Sequence, residues 1–471
     1  MKPIMVVAGT RPEVIKLAPV IKWLQRLSVD YVFVWSGQHY DYMLSRVFFE
    51  EFGLDEPDVN LMVGSGSHAE QTARVMLGLE RAIMDYSPSV VVAEGDTNTV
   101  LAAALVSVKC LTPFAHVEAG LRSWSMVMPE EVNRRVADAV ASLHFAPTRW
   151  AALNLLFEGV PSRTVHVAGN TIVDSLQQIM GRVYDRSDSV LNEYGLNEDD
   201  FILITLHRAE NTNNPDRLKS ILEALDELSQ YYPVVFPIHP KTRDAVFMLG
   251  LSKCLRSVML VEPLGYFEFL ALLSNCRVVL TDSGGVQEEA FTLKVPTVTL
   301  RYNTERPETT LYGINVLAGA ERDRIVKLAL MQAERAKEIR GLSFENPLGD
   351  GQAGKRIAQS LKNAVEEGLA TDEPDLRDAP VVEYRLLDEM KGFEVSLFDL
   401  LAAFDGDGKP VLPWENKSKF IVRIKSKPMI RVPLTPSSVY LGYPLPKRHS
   451  KMSEKDKWMV ISPENFGGNS L

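Results

Sequence analysis

The chain has 471 residues, 46% of them hydrophobic and 24% charged, with a formal net charge of −10. That length implies two or three domains, each able to bury its own core. The acidic balance excludes a general nucleic-acid binder, which would be basic. Cys110, Cys254 and Cys276 form neither a CxxC pair nor a metal-ligand cluster, so they read as thiols in a reducing compartment. The N-terminus runs directly into five apolar residues, 4–8. Such a stretch is too short for a signal sequence or a membrane span, so a cytoplasmic location without membrane insertion is expected.

In chain order, residues 4–8 predict a strand and 12–27 a helix. Residues 31–36 and 90–93 are further strands; the second is followed by a loop at 95–98 and a small-residue helix over 99–108. Residues 113–117 form another strand. Continuous apolar strands between helices indicate a parallel sheet covered on both faces. The pattern then restarts with strands at 201–206, 233–238, 258–261, 277–281 and 297–300. The helix after Asn211 carries Leu218, Ile221, Leu222, Leu225 and Leu228 on one face. Two successive βα series predict two doubly wound α/β domains, 1–172 and 173–368, with the changeover near 169–186 and the last helix packing back on the first domain. An acidic, proline-containing stretch at 370–380 reads as a linker. Beyond it lies a small appended module, within 369–471, with β-like runs at 420–424 and 429–432 and a lysine-rich stretch at 447–457.

In such sheets ligands bind beyond the carboxyl ends of the strands, and the unusual polar residues fall there. Gly9-Thr10-Arg11-Pro12-Glu13-Val14-Ile15-Lys16 follows the first strand. Gly9 suits a tight turn, Pro12 the first helical turn, and the helix start with Arg11 and Lys16 can face an anion. Asp282-Ser283-Gly284-Gly285-Val286-Gln287-Glu288-Glu289 is a second such junction. Ser283, Gly284 and Gly285 free amides for a diphosphate, and Glu289 can accept from ribose hydroxyls. Acid–base candidates are Asp96, Glu118, Glu130 and Glu131. Asp96 and Glu118 end neighbouring strands and should meet in one crevice, where repulsion raises one pKa. The plain alternatives are an N-cap for Asp96, an i+4 pair with Arg122 for Glu118, and first-turn acids for Glu130 and Glu131. His207 and His239 end strands in the second series without metal-ligand spacing. Arg301 and Arg306, in the run after the last strand of that series, add anion contacts.

Taken together, GTRPEVIKLAP, GSGSHAEQT, GDTNTVLA, AHVEAGLR, MPEEVNR, GNTIVDS, LHRAEN, TDSGGVQEEA and NTERPET resemble the non-hydrolysing UDP-N-acetylglucosamine 2-epimerases, particularly archaeal-type members, over residues 1–362. The resemblance implies a glycosyltransferase-B architecture of two Rossmann-like domains closing over a nucleotide sugar. It implies interconversion of UDP-GlcNAc and UDP-ManNAc by elimination of UDP to 2-acetamidoglucal and re-addition, with no cofactor or metal, in a homodimer that serves cell-surface polysaccharide or glycan precursor synthesis. Residue by residue, it places Asp96, Glu118, Glu130 and His207 at the family's catalytic positions. Arg11, Lys16, Ser283, Gly284, Gly285, Glu289 and Arg306 fall at substrate-binding positions. Gln38, His39, Gln71, Arg208 and His239 are candidates for an activating second UDP-GlcNAc.

The chain departs from the family at 123–128, where Trp124 and two methionines stand in place of a Phe-Asp-Arg run, and in the tail beyond about residue 370, which has no counterpart. The competing readings are an epimerase of a modified sugar such as a diacetamido-uronic acid, a hydrolysing epimerase releasing ManNAc, a glycosyltransferase of the same fold, and a non-catalytic sensor.

Overall fold

The structure, a computed structural model, describes residues 2–37, 49, 51–367, 422–424 and 459–461. Gln38, His39, the linker, the run at 429–432 and the lysine-rich stretch lie outside the described residues. The chain forms two compact units: Met1–Thr171 with the chain from Gln352 onward, and Ile172–Gly351.

The first unit is built on a seven-stranded sheet in the order β3-β2-β1-β4-β5-β6-β7. Its strands are β1 (Ile4–Ala8), β2 (Tyr31–Trp35), β3 (Val59–Asn60), β4 (Val90–Glu94), β5 (Phe114–Val117), β6 (Leu143–Ala146) and β7 (Val165–Val167). All pairings are parallel, with Ile4 opposite both Tyr31 and Val90. Strands β1 and β4 are wholly buried, which their unbroken apolar runs foretold. Strands β3, β6 and β7 had no such signal: β3 is two residues long, and buried His144 and half-buried His166 interrupt the other two.

Helix α1 (Arg11–Arg26) starts with a capping box, Thr10 and Glu13, and has Pro12 in its first turn. It buries Val14, Leu17, Val20, Ile21 and Leu24. The last helix among the described residues, Ala353–Glu367, packs along α1. Gly354 allows this, because a Cβ there would lie 2.7 Å from Pro19.

The second unit repeats the pattern in six strands, β10-β9-β8-β11-β12-β13. These are β8 (Ile202–Thr205), β9 (Val234–Pro237), β10 (Met259–Val261), β11 (Val278–Thr281), β12 (Thr297–Thr299) and β13 (Asn315–Leu317), again all parallel. The last begins on a buried asparagine and was not apparent from its sequence. The helix Pro215–Leu228, capped by Asn214, buries Leu218, Ile221, Leu222, Leu225 and Leu228, a contribution of about 1.5–3 kcal/mol for each side chain.

Both sheets reverse winding beside their first strand, between β1 and β4 and between β8 and β11. Loops diverge at such a point and leave a crevice beyond the carboxyl ends. Val422–Ile424 and Met459–Ile461 pair antiparallel; the first falls within the β-like run expected at 420–424. Among the described residues no helix is long and apolar enough to cross a membrane, and the three cysteines are free thiols.

Candidate functional site

In the first unit the switch point lies between the loops after β1 and β4. Gly9 is not a turn glycine, since its φ is ordinary. It is needed for space: a Cβ there would lie 2.1 Å from Thr99 Oγ1 and 2.4 Å from Ser36 Oγ. Glu13 turns back under this loop. Its carboxylate accepts from the Gly9 and Thr10 amides at 2.7 and 2.5 Å, and from the Thr97 hydroxyl at 2.6 Å. Burial pushes its pKa up to about 7 against those hydrogen bonds.

Arg11 is half-buried at the helix start. Lys16 does not face outward toward an anion as its position suggested. Its ammonium is buried, 3.2 Å from Glu94 and in direct contact with Glu118. The reason is charge: a buried ammonium needs counter-ions, and two strand ends supply them.

Glu118 adopts φ +69°, a left-handed conformation unusual for a side chain with a Cβ. Its expected fallback partner, Arg122, is bound elsewhere, 2.7 Å from Asp138 and in contact with Glu158. The carboxyl group that meets Glu118 is Glu94, which sequence reasoning passed over; burial drives its pKa well up against the pull of Lys16, and Glu118 adds to the rise. Asp96 is not the N-cap of the following helix (Asn98–Lys109). Thr97 is, its hydroxyl accepting from the Thr99 and Val100 amides. Asp96 instead holds Arg134 Nε at 3.0 Å through Oδ2, and its carbonyl accepts from Asn133 at 2.8 Å.

Glu130 and Glu131 are first-turn acids of the helix Pro129–Val140. Glu131 is buried and structural, accepting from the Ser123 amide at 2.8 Å and pairing with Arg134 and Arg135. Glu130 is half-exposed. In the preceding loop Trp124 has Arg135 of this helix over its ring at 4.9 Å, while Met126 and Val127 are exposed.

Buried His116 ties these loops together. Its Nδ1 lies 2.6 Å from Asp138 and its Nε2 2.8 Å from the Gly95 carbonyl. Asp138 also accepts from the Gly120 amide at 3.1 Å. Burial opposes the charged imidazole, but Asp138 wins and the pKa is raised. Gln71, among the candidates for a second sugar nucleotide, accepts from Asn98 at 2.9 Å and is half-buried.

In the second unit the loops after β8 and β11 converge on Asp282, which is fully buried. It accepts from the amides of His207 at 3.2 Å and Arg208 at 2.9 Å, and from Asn211 at 3.1 Å. His207 Nδ1 lies 3.5 Å from the same carboxylate while the imidazole itself is exposed. Ser283 caps the helix Gly284–Thr292. Gly284 makes room for a guanidinium: a Cβ there would lie 2.6 Å from Arg306 Nη1. Arg306 is held by Glu288 at 2.7 Å and Glu305 at 3.5 Å. A Cβ at Gly285 would lie 4.0 Å from Ser283 Oγ, an ordinary contact. Glu289 is buried and accepts from the Tyr266 hydroxyl at 2.8 Å. Arg301 is likewise committed, to Glu210 and Glu305. His239 caps the helix Pro240–Met248 and is exposed.

The first unit thus concentrates proton-holding groups at its switch point. The second offers a capped helix start with a buried guanidinium against it and an oriented, exposed imidazole. Among the described residues no three His, Cys, Asp or Glu side chains are grouped to hold a metal ion.

Comparison with known proteins places this arrangement. The sequence pattern of the UDP-N-acetylglucosamine 2-epimerase family matches residues 22–362. A UDP-N-acetylglucosamine 2-epimerase of Methanocaldococcus jannaschii is 43% identical over 363 residues, 76% of this chain and 98% of that protein. A UDP-2,3-diacetamido-2,3-dideoxy-D-glucuronate 2-epimerase of Pseudomonas aeruginosa is 41% identical over 361 residues, 76% of this chain and 99% of that one. The crystal structure of the M. jannaschii enzyme in complex with UDP-GlcNAc and UDP is 42% identical, with a TM-score of 0.70 over 77% of this chain and 99% of its own. The enzyme from Neisseria meningitidis bound to UDP-GlcNAc is 34% identical, with a TM-score of 0.70 over 77% and 100%.

Proposed function

The chain belongs to the UDP-N-acetylglucosamine 2-epimerase family, and from that membership we propose that it interconverts UDP-GlcNAc and UDP-ManNAc without hydrolysing them. The observation that carries the reading is a match running through both sheets, with relatives of known name covered almost end to end.

A carboxylate takes the C2 proton. The C2–H electron pair becomes the C1=C2 double bond, and the C1–O bond to UDP breaks, leaving 2-acetamidoglucal. Proton delivery to the opposite face of C2 and attack of the UDP oxygen on C1 give the epimer. Asp96, Glu118 and Glu130 supply proton removal and return, and His207, oriented by Asp282, assists at the leaving diphosphate. Arg11 and the amides at Ser283, Gly284 and Gly285 stabilise the charge that develops on that diphosphate, with Arg306 fixing the helix start behind them. Glu289 takes the ribose hydroxyls. Lys16, committed to two carboxylates, acts on the charge of Glu118 rather than on the diphosphate. Gln71, Arg208 and His239 belong to an activating second site in this reading. The enzyme works as a cytoplasmic homodimer.

The relative from P. aeruginosa motivates a second reading, an epimerase of a diacetamido-uronic acid nucleotide. Proton NMR in deuterated water separates the two. Deuterium at C2 of UDP-GlcNAc, with UDP-ManNAc appearing, is the expected result. Free ManNAc would indicate the hydrolysing reaction. Exchange with the uronate nucleotide alone would transfer the assignment to that substrate.

A further inference from the structure

Lys16, Glu94 and Glu118 place two carboxyl groups on one ammonium, and all three side chains are at least nine-tenths buried. Glu94 is the last residue of β4 and Glu118 follows β5, its immediate neighbour in the sheet. Both carboxyl groups thus lie against the same buried ammonium. Charge requires one of them to keep a proton: two anions on one cation would leave a net negative charge out of water.

The surrounding groups decide which carboxyl keeps it. Glu13 faces Glu94 from α1 and adds negative potential. His116, on β5, spends its Nε2 on the Gly95 carbonyl. Asp96, in the same loop, is satisfied by Arg134. Among the described residues Lys16 is the cation seen on both carboxyl groups, in direct contact with Glu118 and 3.2 Å from Glu94.

We propose that Glu94 is a positioning residue of the reaction: it retains a proton and donates it to Glu118, so that Glu118 meets the substrate as a carboxylate held between one ammonium and one carboxylic acid. The inference rests on the epimerase reading and deepens it. In the resting enzyme the pair holds one proton. When Glu118 takes a proton from carbon the pair holds two, and it returns to one when that proton passes to solvent or, in the reverse direction, back to the same face of C2. The burial of Glu94, which favours its neutral form, agrees.

Glu94→Gln keeps the shape and a donor but cannot ionise. The wild-type kcat for epimerisation should fall on the alkaline side as Glu94 loses its proton. In E94Q that limb should move upward by at least about one pH unit, with kcat near neutrality within about tenfold of wild type and KM unchanged. Glu94→Met, which also cannot ionise but donates nothing, should show the same displaced limb on a lower kcat, and it serves if the amide variant does not fold. A limb that stays where it is in wild type in either folded variant overturns the proposal, since a purely structural role would lower rates without moving it. Absence of C2 deuteration in the wild type would instead remove the epimerase reading. The proton on Glu94 would then be read separately, as a carboxylic-acid carbonyl band in the infrared at neutral pH that E94Q abolishes, and lack of that band would overturn the proton assignment itself.

Discussion

His207 Nδ1 lies 3.5 Å from Oδ1 of Asp282, an exposed imidazole beside a fully buried carboxylate. The same carboxylate accepts the main-chain amides of His207 and Arg208, so one side chain fixes the backbone and lies beside the ring. Asp282→Asn turns an amide group toward donors that have no acceptor to offer it. The variant should lose about 10²-fold in kcat or more while UDP affinity changes little. Steady-state kinetics with UDP titration checks this, and H207A/D282N should be no slower than H207A alone, because the two residues act as a unit.

Asp96→Asn and Glu118→Gln test the carboxylates directly. Each should lower C2 deuterium exchange by about 10²–10⁴-fold and leave UDP binding nearly intact. Exchange at the wild-type rate in either would refute its role.

Glu13 makes stability fall as pH rises. Its pKa in the folded chain, about 7 against 4.5 unperturbed, means the native state keeps a proton that the unfolded chain releases. The stabilisation is complete below about pH 4.5 and is lost as pH climbs through 7, about 3 kcal/mol in total at about 1.4 kcal/mol per unit. Urea denaturation followed across that window should show the slope in wild type and a flatter one in Glu13→Gln.

Gly9→Ala should destabilise the first unit by about 1–3 kcal/mol, because the new methyl group meets the buried Thr99 and Ser36 hydroxyls. Removing both, in G9A/S36A/T99A, should recover part of the loss. Thermal melts of the variants decide this.

Both parallel sheets are complete by Leu317, and the helix packed along α1 ends at Glu367. A chain truncated after residue 367 should therefore keep C2 exchange at the full-length rate. Loss of exchange with retained folding would assign the tail a part in the reaction.

The buried strands were legible because unbroken apolar runs such as residues 90–93 have one stable environment, a sheet covered on both faces. Leu143–Ala146 and Asn315–Leu317 were not, because a buried histidine and a buried asparagine there are satisfied by partners distant in sequence. Within the candidate site, local spacing pointed to the loops that lie at the two switch points and misjudged their internal bonding. The plain alternative for Asp96, a helix cap, is a role Thr97 fills. The plain alternative for Glu118, a pair with Arg122 four residues on, is not formed, since Asp138 and Glu158 hold that arginine.

By itself, then, the sequence determined two doubly wound units, their order along the chain and the strand ends at which polar residues gather, since periodicity and apolar runs are local properties. Only the tertiary structure decided which charges meet. Lys16 was a cation free to face an anion until β4 and β5 brought Glu94 and Glu118 to it, and Asp282 was one residue of a glycine-rich turn until β8 set His207 beside it. Side chains separated by tens of residues become neighbours through strand order, and burial then makes their pairing obligatory.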